Sequence, residues 1–302
     1  MSPAHELRQR IWAGLKLFND CWVTVSREPK GTRELMNTPT ERVRIVPAEF
    51  DDGWVLEVDG DIQSHVDVHA PRLIRFEYLR RIGNVLDTCW PPSQPIRILH
   101  LGAGALTLAR YVQATRPGSE QTVIELDAEL MELVASELPP DPDTDLRIVI
   151  GDARAKLHEL DDKGFEAIVV DIFTGPDTAT HLCDPGFYQD VLMRLSAQGV
   201  LLVNIGDEEG LEFFRRQAQV LHQVTTTREL NGVWTLADAS TLDRKLAGNA
   251  VLAAGPGLPR GHDEVTTLRS RLAAAGPFPA TVLTPGQTAT LTQIYADDEE
   301  MT

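Results

Sequence analysis

Cysteine is scarce in this chain and forms no pattern. Cys21, Cys89 and Cys183 are odd in number, far apart and without a C-x-x-C pair, so neither a disulfide framework nor a zinc site follows from them. Long apolar runs are missing as well. No stretch approaches membrane-spanning length, and the opening MSPAHELRQRIWAGLKLF lacks the uninterrupted apolar segment of a secretory signal. The expected compartment is the cytoplasm. Positive charge is in deficit: 28 Lys and Arg stand against 45 Asp and Glu, for a net charge of −17. Such a surface repels phosphate backbones and anionic lipid, so no nucleic acid and no membrane is expected as a partner. It attracts cationic small molecules, and it also simply aids solubility.

The 302 residues, 42% of them hydrophobic, suit one large α/β domain with a small appendage. Leu7, Ile11, Leu15 and Leu17 predict a short amphipathic helix over residues 4–20, followed by a polar, broken loop over 26–42. Three β-type runs follow, VRIVPAEF, GWVLEVD and DIQSHVDVH, separated by the hairpin signals Asp51-Asp52-Gly53 and Asp59-Gly60. They predict a small antiparallel sheet, and a boundary near residue 70 divides it from the rest. From Pro71 the pattern changes. RLIRFEYLRRIGNVLD predicts a helix, and after CWPPSQP strands alternate with helices: IRILHLG, a helix from about Ala105, QTVIELD, a helix from Ala128, LRIVIGD, a helix near 153–160, FEAIVVDIF, a helix near 185–196, and GVLLVNIG. Alternation of this kind means a parallel sheet covered on both faces. The tail adds VWTLADAS, NAVLAAG and a helix over 263–275.

The first strand of that sheet runs directly into Gly102-Ala103-Gly104-Ala105. Glycine there lets the backbone turn sharply and approach a ligand. Acids then recur at the later strand ends. Glu125 and Asp127 close the second strand, where a carboxylate can accept from ribose hydroxyls. Asp152, before Ala153, closes the third and can accept from an adenine amino group, and Asp171 closes the fourth. Each alone reads as a helix cap; four in register read as a nucleotide pocket at the carboxyl edge. NAD fits less well than an adenosyl sulfonium, because the third glycine of G-x-G-x-x-G is Thr107 here.

These pieces resemble the spermidine synthase (polyamine aminopropyltransferase) family over about residues 54–240, through VLEVDGDIQS, LHLGAGALTLARYV, VIELDAELMELV, GDARAKL, FEAIVVDIF and NGVWTLADAS. The resemblance implies a Rossmann-like class I methyltransferase sheet (residues 71–302) behind an N-terminal helix and small antiparallel β domain (1–70). It implies decarboxylated S-adenosylmethionine as donor, bound by Gln63, Gly102, Ala103, Gly104, Glu125, Asp127, Asp152, Ala153 and Asp171, with no metal. It also implies a cationic amine acceptor and a homodimer.

The amine half departs from the family. Ala105 stands where the glycine loop usually carries an Asp, and the D-S-S-D loop is represented by Asp171-Ile172-Phe173-Thr174-Gly175. Asp177 follows that loop, and the family's amine-binding Tyr of Y-P-S-G falls at Glu229. Asp171 with Asp177 or Glu229 is therefore the expected acid/base set, and Glu77 is a further substitute acid. Tyr78, Thr174, His181 and Trp234 are expected to face substrate. Phe76-Glu77-Tyr78 stands loosely for the family's Y-H-E segment. The loss at Ala105 also suits S-adenosylmethionine itself and methyl transfer, and loss of the second Asp suits a silent nucleotide-binding homologue. His65-Val66-Asp67-Val68-His69 has the alternation of a metal-binding strand but supplies no further ligand. His100 reads as a satisfied core histidine.

Overall fold

The structure is a computed structural model, and it describes residues 42–160, 163–172 and 180–299. The helix expected over 4–20, Cys21, Thr174 and Asp177 lie outside the described residues. The three β-type runs form an antiparallel sheet in the order β1 (Val43–Pro47), β2 (Trp54–Val58), β3 (Asp61–Val66). Asp59 and Gly60 both take positive φ, 53° and 84°, and pair Val58 with Asp61. That is the two-residue turn whose twist matches the flanking strands.

The large sheet contains β4 (Arg97–Leu101), β5 (Glu120–Glu125), β6 (Leu146–Ile150), β7 (Phe165–Val170), β8 (Leu195–Asp207), β9 (Trp234–Asp238), β10 (Gly248–Ala254) and β11 (Ala280–Leu283). Their order is β11-β9-β10-β8-β7-β4-β5-β6. β4 to β8 are parallel, whereas β10 runs antiparallel to β8 and β9, and β11 antiparallel to β9. The alternating run β4–β8 is parallel as expected, and the tail strands, to which the sequence assigned no direction, make the sheet as a whole mixed. The connection from β9 to β10, residues 239–247, is too short for a parallel crossover, so the chain turns back on itself.

The helices are α1 (Glu77–Cys89), α2 (Thr107–Thr115), α3 (Ala128–Glu137), α4 (Ala153–Glu159), α5 (Pro185–Leu192), α6 (Glu212–Thr227), α7 (Ala239–Arg244), α8 (His262–Ala275) and α9 (Pro285–Glu299). α1 starts at Glu77, five residues after the Arg72 that opens the predicted helical run, because Phe76 before it is extended, with φ of −72° and ψ of 123°. α5 stops at Leu192, since β8 already begins at Leu195. α6, β11 and α9 were not anticipated. Along β7, Ile168 and Val170 pack toward α4, α5 and α6, while Ala167 and Val169 pack toward α1 and α8. This two-sided burial is why the strand reads as a continuous apolar run. The small sheet buries Val43, Ile45, Leu56 and Val66 against Leu106, Ala109, Leu130 and Val134 of the α2–α3 face. Among the described residues, no helix is long and apolar enough to cross a membrane.

Candidate active site

β3 and the glycine loop are built against each other. Gly102 and Gly104 take φ of 94° and 49°, the left-handed region open chiefly to glycine. A Cβ on Gly102 would collide with the Asp171 carbonyl oxygen, and one on Gly104 with Ser64 Oγ. Ser64 Oγ accepts from the Ala105 amide at 3.0 Å, and Thr107 Oγ1 donates to the His65 carbonyl at 2.9 Å. The small sheet therefore shapes the loop. Gln63 is the exposed neighbour of the buried Ser64. Sequence reasoning missed Ser64, although it stands in the same IQS triplet.

The acids divide into two kinds. Glu125 spans the loop, its Oε2 accepting from the Ala103 amide at 2.8 Å and its Oε1 from the Asp127 amide at 2.9 Å. Asp127 caps α3 through the Leu130 amide at 3.1 Å and pairs with Arg42 at 2.6 Å. Partial burial pushes its carboxyl up, but Arg42 and the backbone donors outweigh this and hold it below the usual range. Asp152 caps α4 through the Ala155 amide at 2.9 Å and meets His181 Nε2 at 2.8 Å. There too burial is outweighed, by the cap and the imidazole, and the carboxyl is held low. Ala153 is the buried first residue of α4.

Asp171 is the other kind. Its Oδ1 accepts from Asn204 Nδ2 at 2.8 Å and its Oδ2 from the Tyr78 hydroxyl at 3.2 Å. Burial pushes its pKa up; Asn204 and Tyr78 pull against that, and the nearby Glu125 adds to the rise. The Tyr78 hydroxyl is likewise pushed well above its ordinary value, first by burial and then by Asp171. Asn204 is buried, and its Oδ1 has no hydrogen-bond partner among the described residues. Asn204 was also missed, being a single polar residue inside the apolar run of β8. Beside this group, Glu77 pairs with buried Arg81 at 3.4 Å, and burial pushes the Glu77 carboxyl up.

Two expected residues lie elsewhere. Trp234 is 1% exposed and packed in the core under α1 and α8, so it cannot touch a substrate. Glu229 follows α6, and its carbonyl accepts from Arg260 at 3.0 Å. Its neighbour Asn231 donates to the Leu258 carbonyl at 2.8 Å, and that segment is tied to Gly199 near the start of β8 through Gly257 at 3.1 Å. Glu229 is thus on the amino edge of the sheet, opposite Asp171. A recess of about 320 Å³ lined by Asn231, Arg260, His262 and Pro285 also opens on that edge. His65 is buried against Asp51 at 3.0 Å while His69 is exposed beyond the end of β3. Among the described residues, no group of three or more His, Cys, Asp or Glu is placed to hold a metal ion. His100 meets Gln121 at 3.1 Å inside the core.

A sheet of this order, with one antiparallel strand inserted beside β8 and acids at the carboxyl ends of β5, β6 and β7, defines a methyltransferase-like Rossmann fold. No family model matches the chain. It is 27% identical over 113 residues to the polyamine aminopropyltransferase of Vibrio vulnificus, covering 37% of this chain and 38% of that one. It is 26% identical over 163 residues to that of Chromobacterium violaceum, covering 53% and 60%. The matches thus span less than two thirds of these relatives. The probable spermidine synthase of Corynebacterium glutamicum superposes with a TM-score of 0.71 at 25% identity, covering 83% of this chain and 90% of that one. A spermidine synthase solved with the transition-state analogue AdoDATO shares the fold, with a TM-score of 0.55 at 16% identity over 78% and 82% of the two chains. The chain is a spermidine-synthase-like protein.

Proposed function

We propose that this chain transfers an aminopropyl group from decarboxylated S-adenosylmethionine to a cationic amine. The observation that carries this reading is the Tyr78–Asp171–Asn204 chain at the carboxyl edge. The adenosyl part of the donor lies across the glycine loop, with Glu125 toward the ribose and Asp152 toward the base, as expected for a fold whose relatives include one solved with AdoDATO. The acceptor nitrogen attacks the propyl carbon attached to sulfur. The C–N bond forms, the C–S electrons return to sulfur, and methylthioadenosine leaves neutral. The proton released from nitrogen goes to Asp171, whose raised pKa suits a proton acceptor. Asn204 Oδ1, buried and without a partner among the described residues, offers an acceptor for the amine N–H.

Methyl transfer from intact S-adenosylmethionine is the second reading, favoured by Ala105. That residue is 1% exposed and brings no carboxylate to repel the methionine carboxylate. Mass spectrometry after incubation with each donor and putrescine separates the two. Methylthioadenosine with spermidine supports aminopropyl transfer. S-adenosylhomocysteine with a methylated amine supports the alternative, and neither product from folded protein leaves a silent binder. The homodimer expected by analogy is part of the same proposal, and sedimentation checks it.

A further inference from the structure

We propose that His181 is a positioning residue that holds the Asp152 carboxylate for recognition of an adenine 6-amino group. The inference rests on the adenosyl-donor reading above and extends it to a residue outside the nucleotide half. His181 comes from the short turn Thr180–Leu182, and two contacts hold it in place. The next residue, Leu182, is 8% exposed and belongs to the core. The His181 carbonyl accepts from Arg154 Nη1 at 2.8 Å, and the same nitrogen donates to Asp184 Oδ2 at 2.7 Å. Asp184 in turn caps α5 through the Phe187 amide at 2.7 Å. Arg154 needs open space to make this bridge: a Cβ on Gly186 would come within 2.7 Å of its guanidinium. Two residues upstream, at the N-cap of α4, is Asp152 itself.

The imidazole is 48% exposed but not free to wander, and its Nε2 lies 2.8 Å from Asp152 Oδ2. An ionised carboxylate only accepts, so Nε2 carries the proton. Asp152 Oδ1 meanwhile accepts from the Ala155 amide. The two donors fix the plane of the carboxylate, and each oxygen keeps a second lone pair directed outward. A carboxylate so fixed accepts from an exocyclic amine and meets the carbonyl of a 6-oxo base with repulsion. Without His181 the carboxylate keeps only its cap, and its free oxygen loses a defined direction.

The test is calorimetric binding of methylthioadenosine and its 6-oxo analogue, methylthioinosine, to the full chain, to His181→Ala and to His181→Gln. The wild type is expected to prefer the amino base by about tenfold or more, the scale of one charge-assisted hydrogen bond. His181→Ala should bring that preference within about threefold, with an unchanged melting temperature. His181→Gln, whose amide can donate to Asp152, should restore most of it. An alanine variant that discriminates as the wild type does overturns the role of His181 and leaves the donor reading standing. A folded wild type that binds neither nucleoside sinks the donor reading and this inference with it.

Discussion

The backbone of Gly102 lies directly against the carbonyl oxygen of Asp171, so closely that no Cβ fits between them. The end of β4 and the end of β7 are thus in contact at the carboxyl edge of the sheet, and the glycine also needs its φ of 94°. Gly102→Ala is therefore strained in both respects. It should lose more than about 1 kcal/mol of stability in urea unfolding, and it should weaken methylthioadenosine binding in calorimetry. A variant as stable and as tight-binding as the wild type would show that the loop has room.

Ser64 ties the small sheet to the same loop. Ser64→Ala leaves the buried Ala105 amide without its acceptor, a change that costs about 1–3 kcal/mol in denaturant unfolding. Binding of methylthioadenosine should weaken as well, because the loop loses its support from β3. A stability loss with undiminished affinity would mean that β3 serves the fold alone.

Glu229 supplies a control. It is exposed on the edge opposite Asp171, so Glu229→Gln should leave turnover unchanged and alter stability by less than about 0.5 kcal/mol. Loss of turnover in this variant would contradict the placement of the Asp171 group as the reacting centre.

Features that depend on neighbours in sequence were legible. Asp59-Gly60 announces its turn, and Glu125, Asp152 and Asp171 each close an apolar run. Features that depend on contacts across the fold were not. Ser64 meets Ala105 across 41 positions, and Asn204 meets Asp171 across 33, so neither contact leaves a local signal. Glu229 was reached only through the resemblance of its segment to the family's Y-P-S-G loop, and the unrecognised α6 hid where that segment lies. A strand–helix–strand passage returns the chain to the amino edge, and without that helix the loop before β9 is easily read at the carboxyl edge. Trp234 was misplaced for another reason. An aromatic side chain in a strand can face either a ligand or a helix, and here α1 and α8 cover it.

Acid should act on the core through His100. Burial pushes its pKa from 6.5 down to about 4, against a small opposing pull from the Gln121 hydrogen bond. The folded chain keeps the ring neutral, while the unfolded chain takes up a proton below about 6.5. Stability from the neutral ring is thus present above the unfolded value and drains away as pH falls from 6.5 to about 4. His100→Asn lacks this proton uptake. Its stability, measured by urea unfolding at several pH values, should fall less steeply over that window, by up to about 1.4 kcal/mol per pH unit. Parallel profiles for the two proteins would show that the ring takes up its proton as readily in the folded chain as in the unfolded one.

Asp171→Asn should separate chemistry from stability. The amide can still accept from Asn204 Nδ2 and can donate to the Tyr78 oxygen, so the pocket keeps its shape. It cannot take the proton, and turnover should fall by about 10²–10⁴-fold while methylthioadenosine still binds. Stability should move the other way. Because burial raises the Asp171 pKa, the protonated form favours the fold, and that contribution is complete below the ordinary value of 3.8. It is lost as pH rises through the raised folded-state pKa, where the wild type must carry a buried charge and the variant carries none. The variant is therefore expected to melt above the wild type at neutral pH, with the gap closing as pH falls toward 3.8. A variant that is inactive and also less stable at neutral pH would assign Asp171 a structural role; one that is active would remove it from the reaction.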